Sequence, residues 1–269
     1  MALKGLRLLS TSGIQNLASA KAAGYEFGLV RANTGGKDDQ EVTRNRNAVI
    51  GAGMLLGLYA EYNYDEAHGA KSGWAQAQDY KTILHADWQI PPTIALLPIK
   101  GVALPAPDKY VHEVEGYITE IRNAYGRPPI LALSKSIYNH IAGQNLAVVM
   151  SCPAWVWQWG TNAPGSDPWG NWAFWEQSDA VETVSGATGV GLEVWPGSLD
   201  QLKAWVKSVN TPIPAYDGAP APQPQPNPDP QPQPQPNPQP GPEPTDKEKL
   251  DRLWAWAQKV NDYLAPPEL

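Results

Sequence analysis

The sequence predicts an α/β fold, a closed eight-stranded barrel of the TIM type, over residues 1–211. Two observations carry this. Short apolar runs alternate with helical patterns through the first half, and three further apolar runs follow, giving eight candidate strands. Repeated βα units imply a parallel sheet with helices outside, and eight strands imply closure. After Asp217 the composition changes abruptly to proline-rich text, so the 269 residues hold one barrel-sized domain and an appendage.

The elements follow in order. "LRLL" (6–9) reads as the first strand, and "IQNLASAKAAG" as a helix closed by Gly24. "FGLVRAN" (27–33) is the second strand. "DDQEVTRNRNAVIGAG" follows as a helix that starts with acids, as the helix dipole favours. "MLLGLYAEYN" (54–63) is the third strand, residues 72–86 a helix, and "PTIALLPI" (92–99) the fourth strand. Residues 107–126 form the clearest helix: Val111, Val114, Tyr117, Ile118 and Ile121 share a face, and Gly126 stands just beyond the end. "PILALS" (129–134) is the fifth strand. "AWVWQWG" (154–160), "AFWEQS" (173–178) and "VGLEVW" (190–195) are three strands without full helices between them. A helix begun by Ser198 closes the domain.

Composition excludes several function classes. The net charge is −7 with no Lys/Arg cluster, which argues against nucleic acid and anionic membrane as partners. No run of eighteen apolar residues offers a spanning helix. The opening "MALKGLRLLSTSG" lacks the long apolar run and small-residue cleavage site of a signal peptide. If the protein works outside the cell that made it, the expected exit is lysis, another secretion route or incorporation in a particle. The single Cys152 reads as a small buried hydrophobe. His68, His85, His112 and His140 lack ligand spacing, so no metal and no cofactor are expected.

Proline occupies every even position from Pro220 to Pro244. Such alternation makes a polyproline II spacer, placed at 212–244, with a reach on the order of 75 Å. The tail, 245–269, is an amphipathic helix opened by the capping pair Thr245 and Glu248 and stopped by Pro266-Pro267. Leu250, Leu253, Ala257, Val260 and Leu264 step by three and four, and Trp254 widens the seam. An isolated helix of this length is marginal in water, so the seam over 245–264 implies a protein partner or self-association.

Several phrases, in order, make residues 4–208 resemble the glycoside hydrolase family 25 lysozymes, or muramidases. "GLRLLS" stands where that family opens with Gly-Ile-Asp-Val-Ser, and "AAGYEFGLVRANTGG" matches its phrase ending Ala-Thr-Glu-Gly. "PPTIALL" stands for Pro-Pro-Val-Leu-Asp-Val-Glu, "FWEQS" for Phe-Trp-Gln-Tyr-Ser, and "VGLEVWPGSLDQL" for Val-Asp-Leu-Asn-Val-Phe-Asn-Gly-Ser-Leu. The resemblance implies a (β/α)5β3 barrel and a peptidoglycan substrate. It also implies acids at the ends of strands one, four and eight, because glycoside hydrolysis uses a proton donor and usually a second carboxylate. Matched residue by residue, those positions hold Arg7, Ala95, Leu97 and Gly191. The Glu of Ala-Thr-Glu-Gly is Thr34, and a Tyr-Thr pair of the substrate groove is Ala132-Leu133.

The resemblance therefore implies a barrel without its catalytic acids. Glu61, Glu176 and Glu193 are the carboxylates left near strand ends, and Glu61 with Glu176 is the candidate substitute dyad. Arg7 and Glu193 occupy inward positions on neighbouring strands, so the expectation is a structural ion pair that lowers the Glu193 pKa. The alternative is a rebuilt general acid. Trp155 and Trp175 are assigned to packing. Trp157, Trp159, Trp169 and Trp172 are candidates for stacking on a sugar of cell-wall or other glycan. Three function readings follow: a degenerate, non-catalytic barrel displayed as a binding or structural module, an active endolysin-type hydrolase with relocated acids, and a soluble glycan-binding protein outside any assembly.

Overall fold

The computed structural model describes residues 2–84, 89–160, 163–164 and 172–208. Trp169, the proline-rich stretch and the expected C-terminal helix lie outside the described residues. The order is β1 (Leu3–Leu8), β2 (Gly13–Ile14), α1 (Leu17–Ala22), β3 (Tyr25–Thr34), β4 (Lys37–Asp38), α2 (Val42–Gly51), β5 (Leu55–Glu61), α3 (Gly73–Ile83) and β6 (Ile90–Leu96). Then come α4 (Pro107–Tyr125), β7 (Ile130–Leu133), α5 (Lys135–Ile141), α6 (Ala147–Met150), β8 (Ala154–Trp157), β9 (Trp172–Val184), β10 (Ala187–Trp195) and α7 (Leu199–Lys207).

Eight of these strands close a barrel in the order β1-β10-β9-β8-β7-β6-β5-β3, and β1 pairs with β3 to complete the ring. β2 and β4 are two-residue additions to β10 and β3. Closure leaves no long edge to template aggregation. The expected all-parallel sheet needs one correction, because β10 runs antiparallel to both β9 and β1. The cause is local. Ser185-Gly186 joins β9 to β10, with Gly186 at φ +85°. A two-residue hairpin reverses the chain, whereas a parallel return needs a crossover of a dozen residues.

Punctuation matches the sequence closely. Gly126 ends α4 in the left-handed conformation, φ +68°. Ser198 opens α7 with a full capping box to Gln201. α2 begins at Val42 rather than at the acids before it, because Lys37 and Asp38 pair with β3 instead.

Apolar side chains form two layers. Val49, Tyr80, Tyr110, Val114, Ile118 and Ile121 pack in the layer between the strands and the helices. Phe27, Leu29, Tyr59, Ala95, Trp155, Phe174 and Trp195 fill the barrel interior. Gly5 is needed for space here, since a Cβ would lie 2.1 Å from the Phe27 ring. Trp205 of α7 packs 5.0 Å from Trp195, whose register partner is Leu3 at the start of β1. α7 thus packs at the end where the parallel strands begin, leaving the opposite end as the mouth.

Candidate functional site at the barrel mouth

At the mouth end the interior becomes charged. Arg7 points inward from β1 and is 3% exposed. Its Nη2 donates to Glu176 Oε1 at 2.8 Å and to Asp179 Oδ1 at 2.9 Å. Its guanidinium lies over Trp157, 4.6 Å from the ring centroid. Burial works against its charge, but the Tyr59 hydroxyl and the carboxylates of Glu176 and Glu193 outweigh that, so its pKa rises.

The expected Arg7–Glu193 pair is therefore corrected to an Arg7–Glu176–Asp179 cluster. Arg7 sits in register with Gly191 of β10. A Cβ at 191 would lie 3.1 Å from Arg7 Cβ and 3.2 Å from its Nε. The missing side chain opens a path across β10, and the guanidinium reaches β9. Glu193 accepts instead from Trp155 Nε1 at 2.8 Å. Asp179 was not anticipated, because strict alternation puts 176 and 179 on opposite faces. Leu192 pairs with Ser178 but Glu193 with Glu176, so Gln177 is an extra residue. That bulge turns Asp179 to the Glu176 side.

Glu176 and Glu193 are cross-strand partners, 0% and 1% exposed. Two buried carboxyls beside one guanidinium resist losing both protons. Burial is the main cause for each. It pushes Glu176 up to about 7 against the opposing pull of Arg7. It raises Glu193 well above the usual range, aided by the Glu176 charge. The expected lowering of Glu193 is thus reversed. Glu176 Oε2 and Glu193 Oε1 find no hydrogen-bond partner among the described residues.

A stability consequence follows. A carboxyl whose folded pKa exceeds its unfolded value stabilises the fold below the unfolded pKa and loses that contribution as pH rises through the folded one. The barrel is expected to melt at a lower temperature at pH 8 than at pH 5. Glu193→Gln is expected to flatten that slope. A melting temperature that climbs over this interval in the parent would contradict the assignment.

The other candidates are elsewhere. Ala95 is fully buried in the interior, and Leu97 packs against that interior cluster with Leu9 and Trp157. Glu61 accepts from Arg31 at 3.3 Å and from Thr34 Oγ1 at 3.1 Å, so it belongs to a rim network rather than to a dyad with Glu176. Trp175 is buried and donates to the Gln158 carbonyl, and Trp172 packs 6.0 Å from Trp175. Trp157 is half-buried under Arg7. Trp159 is 61% exposed, with Nε1 3.4 Å from Glu176 Oε1. Cys152 is buried and its thiol is pushed up to about 12, which keeps it protonated and unreactive. No cluster of three metal-ligating side chains occurs among the described residues.

Neither a protein-family model nor a curated protein matches the sequence. Solved structures do match. A bacterial lysozyme from Streptomyces coelicolor superposes with a TM-score of 0.68 at 21% identity, covering 76% of this chain and 96% of that one. A family GH25 lysozyme from Aspergillus fumigatus gives 0.67 at 17% identity, covering 77% and 99%. A family 25 glycosyl hydrolase from Bacillus anthracis gives 0.64 at 18%, covering 75% and 92%. The closed barrel of this chain has the fold of the family 25 lysozymes and muramidases.

Proposed function

We propose that this barrel is a non-hydrolysing, muramidase-like module that binds a glycan or serves as a structural unit, displayed on the proline-rich spacer and held by the C-terminal helix in a phage particle or surface assembly. One observation carries the reading. The Arg7 guanidinium occupies the mouth and is locked by Glu176 and Asp179, with Leu9, Leu97 and Trp157 packed around the interior below. Glycoside hydrolysis needs carboxyls flanking an open groove. Here the two inward Glu residues are buried, and one is bound to an arginine. The exposed Trp159 ring at the end of β8 is the surface we assign to sugar contact.

A second reading rests on a different observation. Burial pushes the Glu176 carboxyl up to about 7, the range suited to a general acid, and Trp159 stands beside it. A hydrolase rebuilt on Glu176 would clear a suspension of purified peptidoglycan and lose that activity in Glu176→Gln. The proposal expects no clearing by either protein. It also expects co-sedimentation with the polymer to fall about fivefold in Trp159→Ala, the loss of on the order of 1 kcal/mol of ring contact. Clearing abolished by Glu176→Gln would overturn the non-hydrolysing reading.

A further inference from the structure

Trp159 is exposed, yet it is tied down by the strand beside it. Trp155, Trp157 and Trp159 alternate along one strand and its extension, so all three turn to the same face. Trp155 meets Glu193, Trp157 lies under Arg7, and Trp159 comes last, at the mouth. Three consecutive residues of β9 then hold it. The Gln158 carbonyl accepts from Trp175 Nε1 at 2.6 Å. The Gly160 N–H donates to the Gln177 carbonyl at 2.8 Å. Between these anchors the Trp159 indole N–H donates to Glu176 Oε1 at 3.4 Å. The chain is thus pinned on both sides of the residue, and the ring is pinned at its nitrogen.

Glu176 can hold a ring because it is itself held. The same Oε1 accepts from Arg7 Nη2 at 2.8 Å, and Glu176 has no exposure to water. Arg7 is fixed in turn by Asp179 and by the Trp157 face. A carboxylate free to rotate could not orient an indole over so long a bond, whereas one locked by a guanidinium can. The arrangement also decides what the ring presents. Its N–H is spent on a buried acceptor, so a ligand meets the apolar face of the indole and not its donor. An exposed side chain ordinarily loses rotamer freedom when a ligand immobilises it, and fixing the ring beforehand removes that cost.

We propose that Glu176 is the positioning residue of the sugar-contact surface: locked by Arg7, it orients the Trp159 ring and strengthens glycan binding without touching the glycan. The inference rests on the assignment of Trp159 to sugar contact made above. It gives the Arg7–Glu176 pair a second role. The contact that fills the mouth also supports the aromatic platform at its edge, so a side chain buried in the barrel sets the affinity of a surface outside it.

The test uses the full chain, co-sedimentation with purified peptidoglycan, and the indole N–H resonances in proton–nitrogen spectra. The Trp159 indole proton is identified by its loss in Trp159→Phe. In the parent it is expected to exchange with heavy water at least about fivefold more slowly than the indole proton of N-acetyltryptophanamide. Glu176→Leu removes the acceptor and is expected to weaken binding about threefold and to bring that exchange to the free rate. Glu176→Gln, whose amide oxygen still accepts, is expected to retain most of the binding. Trp159→Phe keeps an aromatic face but has no N–H, and is expected to cost about threefold in the parent and little more in the Glu176→Leu background. Free-rate exchange in the parent, parent-like binding in Glu176→Leu, or equal losses in Glu176→Leu and Glu176→Gln would each overturn the positioning role. The exchange rate in the parent decides the matter even where Glu176→Leu does not fold. Unchanged binding in Trp159→Ala, with slow indole exchange in the parent, would instead overturn the sugar contact on which the inference rests, so the two failures give different results.

Discussion

Arg7→Met is expected to destabilise the barrel by about 3–5 kcal/mol, the usual result of removing one partner from a buried ion pair. Arg7 is the guanidinium that meets Glu176, and Glu176 has no exposure to water. Removing the cation leaves two carboxyls facing each other across β9 and β10. They can be accommodated only by holding protons more tightly, so the loss is expected to grow from pH 5 to pH 8. Urea denaturation at both pH values measures it. The double variant Arg7→Met/Glu176→Gln is expected to recover most of the loss, because replacing both members of a buried pair is often neutral. The informative quantity is that coupling. If Arg7→Met unfolded at the parent's urea concentration, or if Glu176→Gln gave no recovery, the cluster would not be the organising contact of the mouth.

The fold was legible because its signals are local. The βα rhythm, the Gly126 cap, the Ser198 capping box and the inward stripe of α4 all depend on residues a few positions apart. The antiparallel β10 was also written locally, in Ser185-Gly186, but the preceding βα rhythm masks it. The mouth was legible only in part. The expectation that Arg7, Ala95, Leu97 and Gly191 stand at acid positions comes from the matched phrases alone. Which carboxylate answers Arg7 cannot, because strand adjacency favours Glu193 on β10. The outcome depends on two features outside any periodic pattern. One is a glycine that lets a long side chain cross its neighbouring strand. The other is a bulge at Gln177 that brings Asp179 round to the same side as Glu176. The direction of the Glu193 shift was missed for a related reason: full burial and the Glu176 charge outweigh a guanidinium that is engaged elsewhere. Trp159 and Trp172 illustrate the same limit. Both follow from one aromatic-rich segment, yet one is exposed and the other packs on Trp175.

Gly191→Ala is expected to destabilise the barrel by about 1–3 kcal/mol, the cost of overpacking a filled interior. Gly191 does not have a positive φ, so the penalty is one of space rather than backbone strain. The new methyl would meet Arg7 Cβ at 3.1 Å, Arg7 Nε at 3.2 Å and the Ser178 carbonyl at 3.2 Å. The backbone carbonyl cannot swing away, so the Arg7 side chain must yield. Yielding lengthens its bonds to Glu176 and Asp179 and exposes the same imbalance that Arg7→Met creates. Arg7 and Gly191 are then not two independent positions. The glycine is the opening through which the arginine reaches its partners. Installing an acid at 191 alone is accordingly expected to leave purified peptidoglycan intact, because the carboxylate would enter a mouth that still holds a guanidinium. Combining Gly191→Ala with Arg7→Gly removes the side chain that the methyl strikes. The double variant is expected to be less destabilised than the sum of the two single variants, measured by urea denaturation. Strict additivity would mean that the two positions do not share the contact on which this account of the mouth depends.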